Sequence, residues 1–594
     1  MYKNGYVKIE LSSPDLHIGN SFENAKNIIK ILNKSKSSFV LFSELCLSGY
    51  TAGDLFFETT FLKENLNSLE FIINNTSFQG VYFIGMPFLL KEVLFNAAVV
   101  IQNKKILGII LKKTIPNYKE FKEKRWFQSG KNIKTEIINF LGQKVPIGNI
   151  LFINKEFDIV FGVEICQDLW TIETPSDLLV LNGAHLIFNL SSSTEHVDKD
   201  TLRKLAVLDH SRKQIGGYFY TSSGITESSL DNLFSNHKIA AVAGRIIGEK
   251  DLTNQDISLV VDVCVDSIKY QRRIDTTYAD QIIGKEFPFY KSYFNLNKVE
   301  CYEFEKSFNT TPFLNEDKTE LNKQLKLSNV IQLLSLKTTM SSNPDDKILL
   351  EMKNRLNEIL TLLVAVQYLK DNKKPLQNLE IIIKEDNYID DSERLFFAKK
   401  LLQNLGINNV TIFRQEMKCF EASFNYELNK LVLVSDNLSD NANGEITYNC
   451  QSNSHLYNLN SGIPNTLMVE LIIFYFQTKY RFVDENIKNF YLHQIEKFLD
   501  QKIIIEDFML YYHLNNGLSK EKIAFLLEQT FFLNYKESLL LISQYIKNFY
   551  KNQYKRNRIS PGPKILSCSL SYRTELQLPI NIDREDTKLN ILIY

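Results

Sequence analysis

Three side chains able to do chemistry stand where apolar runs stop. In VFGVEICQDLW, residues 160–170, a β-rich run ends at Cys166 and turns into Gln167 and Asp168. A strand ending there delivers a thiol to its carboxyl end, which makes Cys166 a candidate nucleophile. Glu44 follows Val-Leu-Phe in SELCLSGY; a carboxylate partly withdrawn from water is shifted toward a useful general base. Lys112 closes the run KILGIIL before a turn at Pro116, and a cation beside a carboxylate and a thiol can hold charge against a developing oxyanion. Taken singly, these residues read as a small buried hydrophobe, a strand-terminal acid facing water and a solvated lysine. Three of them at three strand ends is a different proposition from any one.

The elements that must carry these groups follow from the hydrophobic pattern. A strand over 6–11, an amphipathic helix over 21–33 and an apolar strand over 38–42 make a strand, helix, strand opening. Residues 81–88 form another strand, and 96–111 read as a hairpin through Asn103-Lys104-Lys105. The chain has 594 residues with 44% apolar content, enough for at least two cores. Lys+Arg and Asp+Glu are equal at 69 each, so no global field recruits nucleic acid or an acidic membrane. Seven cysteines, at 46, 166, 264, 301, 419, 450 and 568, are scattered without a CxxC pair, and HExxH does not occur. No disulfide framework and no metal site is expected, and the compartment reads as reducing. The N-terminal MYKNGYVKIELSSPDL lacks an apolar signal core and no run approaches a membrane span. The expectation is a soluble cytoplasmic protein.

The words around the three groups resemble the nitrilase superfamily's Glu-Lys-Cys amidases, and more narrowly the bacterial glutamine-dependent NAD synthetase family. The resemblance rests on SELCLSGY, on Lys112 to Tyr118 with Ile115 for the usual Leu, on FKEKRWF and GVEICQDLW, then on NLSSS (189–193) and YTSSGITESSLDNLFSNHKIAAVAGR (220–245). It implies an α/β fold: a nitrilase-like α-β-β-α sandwich followed by a Rossmann-like ATP-pyrophosphatase domain of the adenine nucleotide alpha hydrolase type. By position in the motifs it assigns Glu44 as general base, Lys112, rather than Lys113, as oxyanion partner and Cys166 as nucleophile. Tyr118, Glu123, Ser193 and Lys199 fall where the family holds the amide and amino-acid ends of glutamine. Gln167 departs from the pattern, standing where this branch often has a Glu, which bears on selectivity for glutamine over other amides or nitriles.

The domains implied are 1–275 for the amidase, a linker over 276–330, and a synthetase-like domain over 331–594. The family's second domain cradles pyrophosphate in a Ser-Gly-Gly-x-Asp-Ser loop between its first strand and helix. Here KILLEM (347–352) matches the strand and NEILTLLVAVQYL the helix, with KNRLNE between them. Glycines let backbone approach a phosphate and adopt positive φ. In this chain Asn354 and Arg355 replace the glycine pair, Lys353 and Asn357 flank them, and Glu358 brings negative charge to the phosphate position. The family's Met-Pro-Ser is lost after 381–385, and Asp436 and Leu438 stand where the family shows Gly and Lys.

The resulting expectation is an amidase that hydrolyses glutamine to glutamate and ammonia without a cofactor, joined to a synthetase domain that no longer makes NAD. ATP and Mg are needed only if that domain is active. The alternatives are an active synthetase using ATP, nicotinate adenine dinucleotide and glutamine, and a non-catalytic scaffold or regulatory partner of an active synthetase. The partners expected are glutamine, further copies of the chain in a homo-oligomer, and an ammonia acceptor such as an active NAD synthetase.

Overall fold

The computed structural model describes residues 1–227, 231–254, 256–282, 287–342, 347–353, 355–385, 391–414, 430–446 and 455–582. Two compact units divide the chain, Met1–Lys306 and Ser307–Tyr594.

In the first unit, Tyr6–Ser12 pairs in parallel with Phe39–Phe42, which pairs in parallel with Val81–Leu90. Antiparallel Val93–Gln102 and Lys105–Leu111 extend this nine-stranded sheet. Both hairpin loops have two residues: Lys91 and Glu92 at φ 49° and 63°, and Asn103 and Lys104 at φ 47° and 63°. Left-handed backbone at both central positions matches the twist of the flanking strands. The second hairpin was expected; the first was not, because Lys-Glu carries none of the usual turn chemistry. A seven-stranded sheet contains Ile159–Ile165, Leu186–Ser191 and Gly217–Ser222 side by side in parallel.

Period-2 alternation sorts each strand's side chains between two cores. Phe39 and Leu41 point between the sheets, where they join Phe83, Phe161 and Phe188, while Val40 and Phe42 face the opposite way. The Phe83 and Phe188 rings lie 4.6 Å apart and Phe39 and Phe188 5.3 Å; truncating one such ring costs about 3–5 kcal/mol. Helices Ser21–Lys34 and Thr59–Asn75 cover the outer face of the first sheet through Ile28, Leu32, Leu69 and Ile72. Pro175–Leu181 and Lys199–Lys213 cover the second through Leu179, Val180 and Val207. The layers are therefore helix, sheet, sheet, helix, as the resemblance implied.

The second unit is built on a five-stranded parallel sheet in the order Val410–Arg414, Leu379–Glu385, Ile348–Met352, Leu431–Val434, His455–Asn458. Ile348–Met352 is central, with neighbours added to either side, which is the doubly wound, Rossmann-like arrangement. Leu356–Asp371 and Asn465–Thr478 pack on it and are buried nearly all round.

The stretch 276–330, read above as a linker, contributes a strand and the start of a long helix to packed parts of the two units. Tyr290–Tyr293 adds a parallel strand to Ile150–Asn154 in the first unit's second sheet. Lys318–Ser341 is a 24-residue helix capped by Asp317, whose carboxylate accepts the Thr319 and Glu320 N–H groups. Its buried face is interrupted by Ser328, Asn329 and Gln332, which breaks the apolar periodicity. Two of them have partners: Tyr475 donates to Asn329 at 2.6 Å and the Gln332 amide to the Leu459 carbonyl at 3.1 Å.

Candidate active site

Both sheets of the first unit direct the carboxyl ends of their parallel strands to one edge, and the three candidate residues meet there. Glu44 follows Phe39–Phe42 in a turn with Leu45 at φ 48°. A Cβ at Gly85 would lie 2.4 Å from the Leu45 nitrogen, so only glycine on the neighbouring strand lets this turn sit so close. Lys112 follows Lys105–Leu111 in the same sheet. Cys166 opens a 3₁₀ turn, Cys166–Trp170, directly after Ile159–Ile165 of the other sheet, and stands at φ 47°. Left-handed backbone at a non-glycine residue costs about 1–3 kcal/mol and persists only where the surroundings impose it. Here the Cys166 N–H donates to Asn189 Oδ1 at 3.2 Å.

Lys112 and Glu44 are fully buried. The Lys112 Nζ lies 2.5 Å from Glu44 Oε1 and 2.7 and 2.8 Å from the two oxygens of Glu123. The Tyr50 hydroxyl donates to Glu123 at 2.8 Å, and Asn96 Nδ2 bridges Glu44 Oε1 at 2.7 Å and Glu123 Oε2 at 3.4 Å. The Cys166 thiol lies within electrostatic reach of Glu44, Lys112 and Glu123. Burial pushes the Glu44 carboxyl above the ordinary carboxylate range, against the pull of the Lys112 ammonium. Burial alone would lower Lys112, but the Glu123 and Glu44 carboxylates reverse this and raise it, so the ammonium stays charged. The Cys166 thiol is pushed up to about 12, by burial first and by the Glu44 charge second. At neutral pH it is a thiol, and the raised carboxyl beside it is the group placed to take its proton.

The residues expected to hold a substrate divide. Tyr118, half exposed, donates to Gln167 Oε1 at 2.8 Å. Lys199 donates to Thr194 Oγ1 at 2.7 Å and pairs with Glu120 at 3.5 Å, while Ser193 Oγ accepts from the buried Arg203 at 3.3 Å. Both Tyr118 and Lys199 lie within electrostatic reach of Cys166. Glu123 is engaged with Lys112, Tyr50 and Asn96, because a fully buried ammonium needs its charge compensated and its donors filled. Sequence reading missed Tyr50, Asn96, Asp168 and Asn189. Tyr50 ends the quoted SELCLSGY and Asn189 opens NLSSS, but Asn96 stands inside an apolar strand with no local signal.

In the second unit, Lys353 and Arg355 of KNRLNE stand between Ile348–Met352 and Leu356–Asp371, and Leu356, Asn357 and Glu358 form the first turn of that helix. Asn354 lies outside the described residues. Glu358 turns back from the first turn of the helix and accepts the Lys353 N–H and, at 3.0 Å, the Arg355 N–H. Burial raises its carboxyl to about 7. Lys353 and Arg355 are exposed. The Asn357 side chain donates to Asp440, which also accepts the Asn437 N–H at 3.1 Å; Asn460 donates to the Asn357 carbonyl at 2.9 Å. Among the described residues, the Lys353 and Arg355 N–H groups at this strand-to-helix turn are thus filled by the chain's own carboxylate.

Residues 16–260 match the family model for carbon-nitrogen hydrolases. The chain is similar over most of its length to the glutamine-dependent NAD(+) synthetase of Mycobacterium leprae, 22% identical over 644 aligned positions covering 95% of this chain and 94% of that protein. The same enzyme from Aquifex aeolicus is 25% identical over 80% of this chain and 74% of its own length. Among solved structures, a glutamine-dependent NAD(+) synthetase from Cytophaga hutchinsonii aligns over 97% of both chains at 13% identity and a TM-score of 0.39. Among the described residues no helix is long and apolar enough to cross a membrane.

Proposed function

We propose, for a chain that resembles the glutamine-dependent NAD(+) synthetases and carries a carbon-nitrogen hydrolase unit, that the first unit hydrolyses the side-chain amide of glutamine. The observation that carries this reading is the buried group in which one ammonium is shared by Glu44 and Glu123, with the Cys166 thiol within electrostatic reach of all three. Glu44 takes the thiol proton as sulfur attacks the amide carbon, and Lys112 donates to the oxygen as it gains negative charge. The tetrahedral species collapses with the nitrogen leaving as ammonia, which receives the proton from Glu44, and a glutamyl thioester remains. Water then gives a proton to Glu44 and attacks the thioester, and the second collapse releases glutamate and returns the proton to sulfur. Glu123 keeps Lys112 charged and in place while Glu44 is protonated. Gln167, held by Tyr118, offers an uncharged amide where a carboxylate would attract a substrate ammonium, so selectivity for an amino-acid amide rests more heavily on Ser193 and Lys199.

In the same reading the second unit forms no NAD. Its support is the Glu358 carboxylate lying in the turn where phosphate would need those N–H groups. The ammonia then serves another acceptor, such as an active synthetase. The test is a single reaction of purified protein with glutamine, ATP, Mg²⁺ and nicotinate adenine dinucleotide, followed for glutamate, AMP and NAD beside Cys166→Ala. Glutamate without AMP or NAD, lost in Cys166→Ala, is the expected result. NAD and AMP formed in step with glutamate would replace it with an active synthetase, and no glutamate from wild type would remove the amidase.

A further inference from the structure

Lys112 and Cys166 are delivered by different sheets, and the core between those sheets is made of aliphatic and aromatic side chains. Such packing is strong but non-directional, so it does not by itself fix one strand end against another to within a few tenths of an ångström. Directional bonds across the gap at this edge do. Glu44 is tied to the second sheet by its N–H to the Ser191 carbonyl at 3.2 Å and by the Ser192 hydroxyl to its own carbonyl at 3.1 Å. The tie nearest to Lys112 is the Asp168 side chain, bonded to the two residues that follow it.

Asp168 is buried, two residues after the nucleophile. Its Oδ2 accepts the Ile165 N–H at 3.2 Å, immediately before Cys166, and the Lys113 N–H at 3.4 Å, immediately after Lys112; its Oδ1 accepts the Thr114 N–H at 2.8 Å. Capping the 3₁₀ turn requires only the Ile165 bond. The other two go to a segment of the opposite sheet, so a capping role leaves them unexplained. Burying a carboxylate costs several kcal/mol unless hydrogen bonds offset it, and all three donors here are backbone groups whose positions set those of the two reacting side chains.

We propose that Asp168 is the positioning residue that fixes the separation of the Lys112 ammonium from the Cys166 sulfur, an inference that rests on the amidase reading. It touches neither the thiol nor the ammonium and acts through the backbone on either side of them. Substitution Asp168→Asn keeps shape but turns one oxygen into an NH₂ facing N–H donors. A displacement approaching 1 Å at the reacting atoms lowers turnover by about 10²-fold.

The experiment compares wild type, Asp168→Asn and Glu10→Gln for glutamine turnover and for the rate at which iodoacetamide alkylates Cys166. Glu10 is another buried carboxylate; it accepts from Ser35 and Ser258, not from either segment. Asp168→Asn is expected to lower kcat by about 10- to 100-fold with KM changed less than about threefold, and to slow alkylation in parallel. Glu10→Gln is expected to keep kcat within about twofold while melting earlier. Wild-type kcat and alkylation in Asp168→Asn overturn the proposal. If wild type releases no ammonia, the amidase reading fails, and the alkylation rates still decide the clamp. If Asp168→Asn does not fold, hydrogen exchange on the wild-type chain decides it: Lys113 and Thr114 amides as protected as Ile165 support the clamp, and rapid exchange at both overturns it.

Discussion

The proton on Cys166 gives the sharpest handle on the proposed chemistry. With the thiol pushed up to about 12, roughly one molecule in 30,000 is a thiolate at pH 7.5, a gap of about 6 kcal/mol at 1.36 kcal/mol per pH unit. A base beside the thiol removes the need for that free thiolate. Glu44→Gln is nearly isosteric, can still accept from Asn96 and Lys112, and cannot take a proton. It also removes the negative neighbour that helps hold the thiol pKa up, so part of the gap closes in the variant. The expected fall in kcat is about 10²- to 10⁴-fold, the range for losing general-base catalysis. The residual activity should carry a signature. Only spontaneously ionised thiolate reacts, so the rate should rise about tenfold per pH unit between about pH 7.5 and 9.5, while wild type stays nearly flat. Initial rates of glutamate release at saturating glutamine, with Cys166→Ala as background, read both quantities. A Glu44→Gln enzyme within about fivefold of wild type, or a residual rate indifferent to pH, would refute Glu44 as the base.

Three further outcomes follow from the same geometry. In wild type the base must be ionised to accept the proton, so kcat/KM is present above the Glu44 pKa and lost as pH falls through it; burial raises that pKa, which puts the acid limb above the ordinary value of about 4.3, and a limb at or below that value contradicts the assignment. Lys112→Met leaves the Glu44 and Glu123 carboxylates facing each other without their shared cation, so turnover should fall about 10²-fold or more and stability by about 3–5 kcal/mol, read by steady-state rates and thermal melting; a variant that melts like wild type would show the cluster to be less buried than described. In the second unit, Glu358 and Asp440 are both raised to about 7 by burial. Their contribution to stability is full below the unfolded pKa near 4 and is lost as pH rises through about 7. Hydrogen exchange of Leu356–Asp371 in the full chain, corrected for intrinsic rates, should report easier opening at pH 8 than at pH 5. Glu358→Gln should shrink that difference, and an unchanged difference would separate Glu358 from it.

How much of this was legible without a structure can be argued residue by residue. The apolar runs and the turns after them placed Glu44, Lys112 and Cys166 at strand ends, because apolar runs and polar punctuation are local properties of the chain. The strand and helix on either side of KNRLNE were legible for the same reason, and so was the loss of its glycines, since a missing residue type needs no coordinates to be seen. The motif words brought the resemblance, and with it the layer order of both units.

The tertiary structure alone decided who touches whom. Asn96 sits in an apolar strand that gives no hint of its polar task, yet strand pairing sets it between two carboxylates. Glu123 lies in a charged run, FKEKRWF, that reads as a solvated surface, and burial turns it into the partner of Lys112. Asp168 gains its two extra bonds from a segment more than fifty positions away. Glu358 fills a turn with its own carboxylate because helix geometry points an N3 side chain back at the preceding N–H groups. Residues 276–330 looked like a linker because they are rich in Asn, Lys, Ser and Glu with few periodic elements, and it takes partners elsewhere in the unit for Asn329 and Gln332 to let the helix that begins at Lys318 bury its polar positions. Local pattern determines which elements form and where they stop; the compensation of buried charge and polar groups depends on partners distant in sequence, and no local pattern records it.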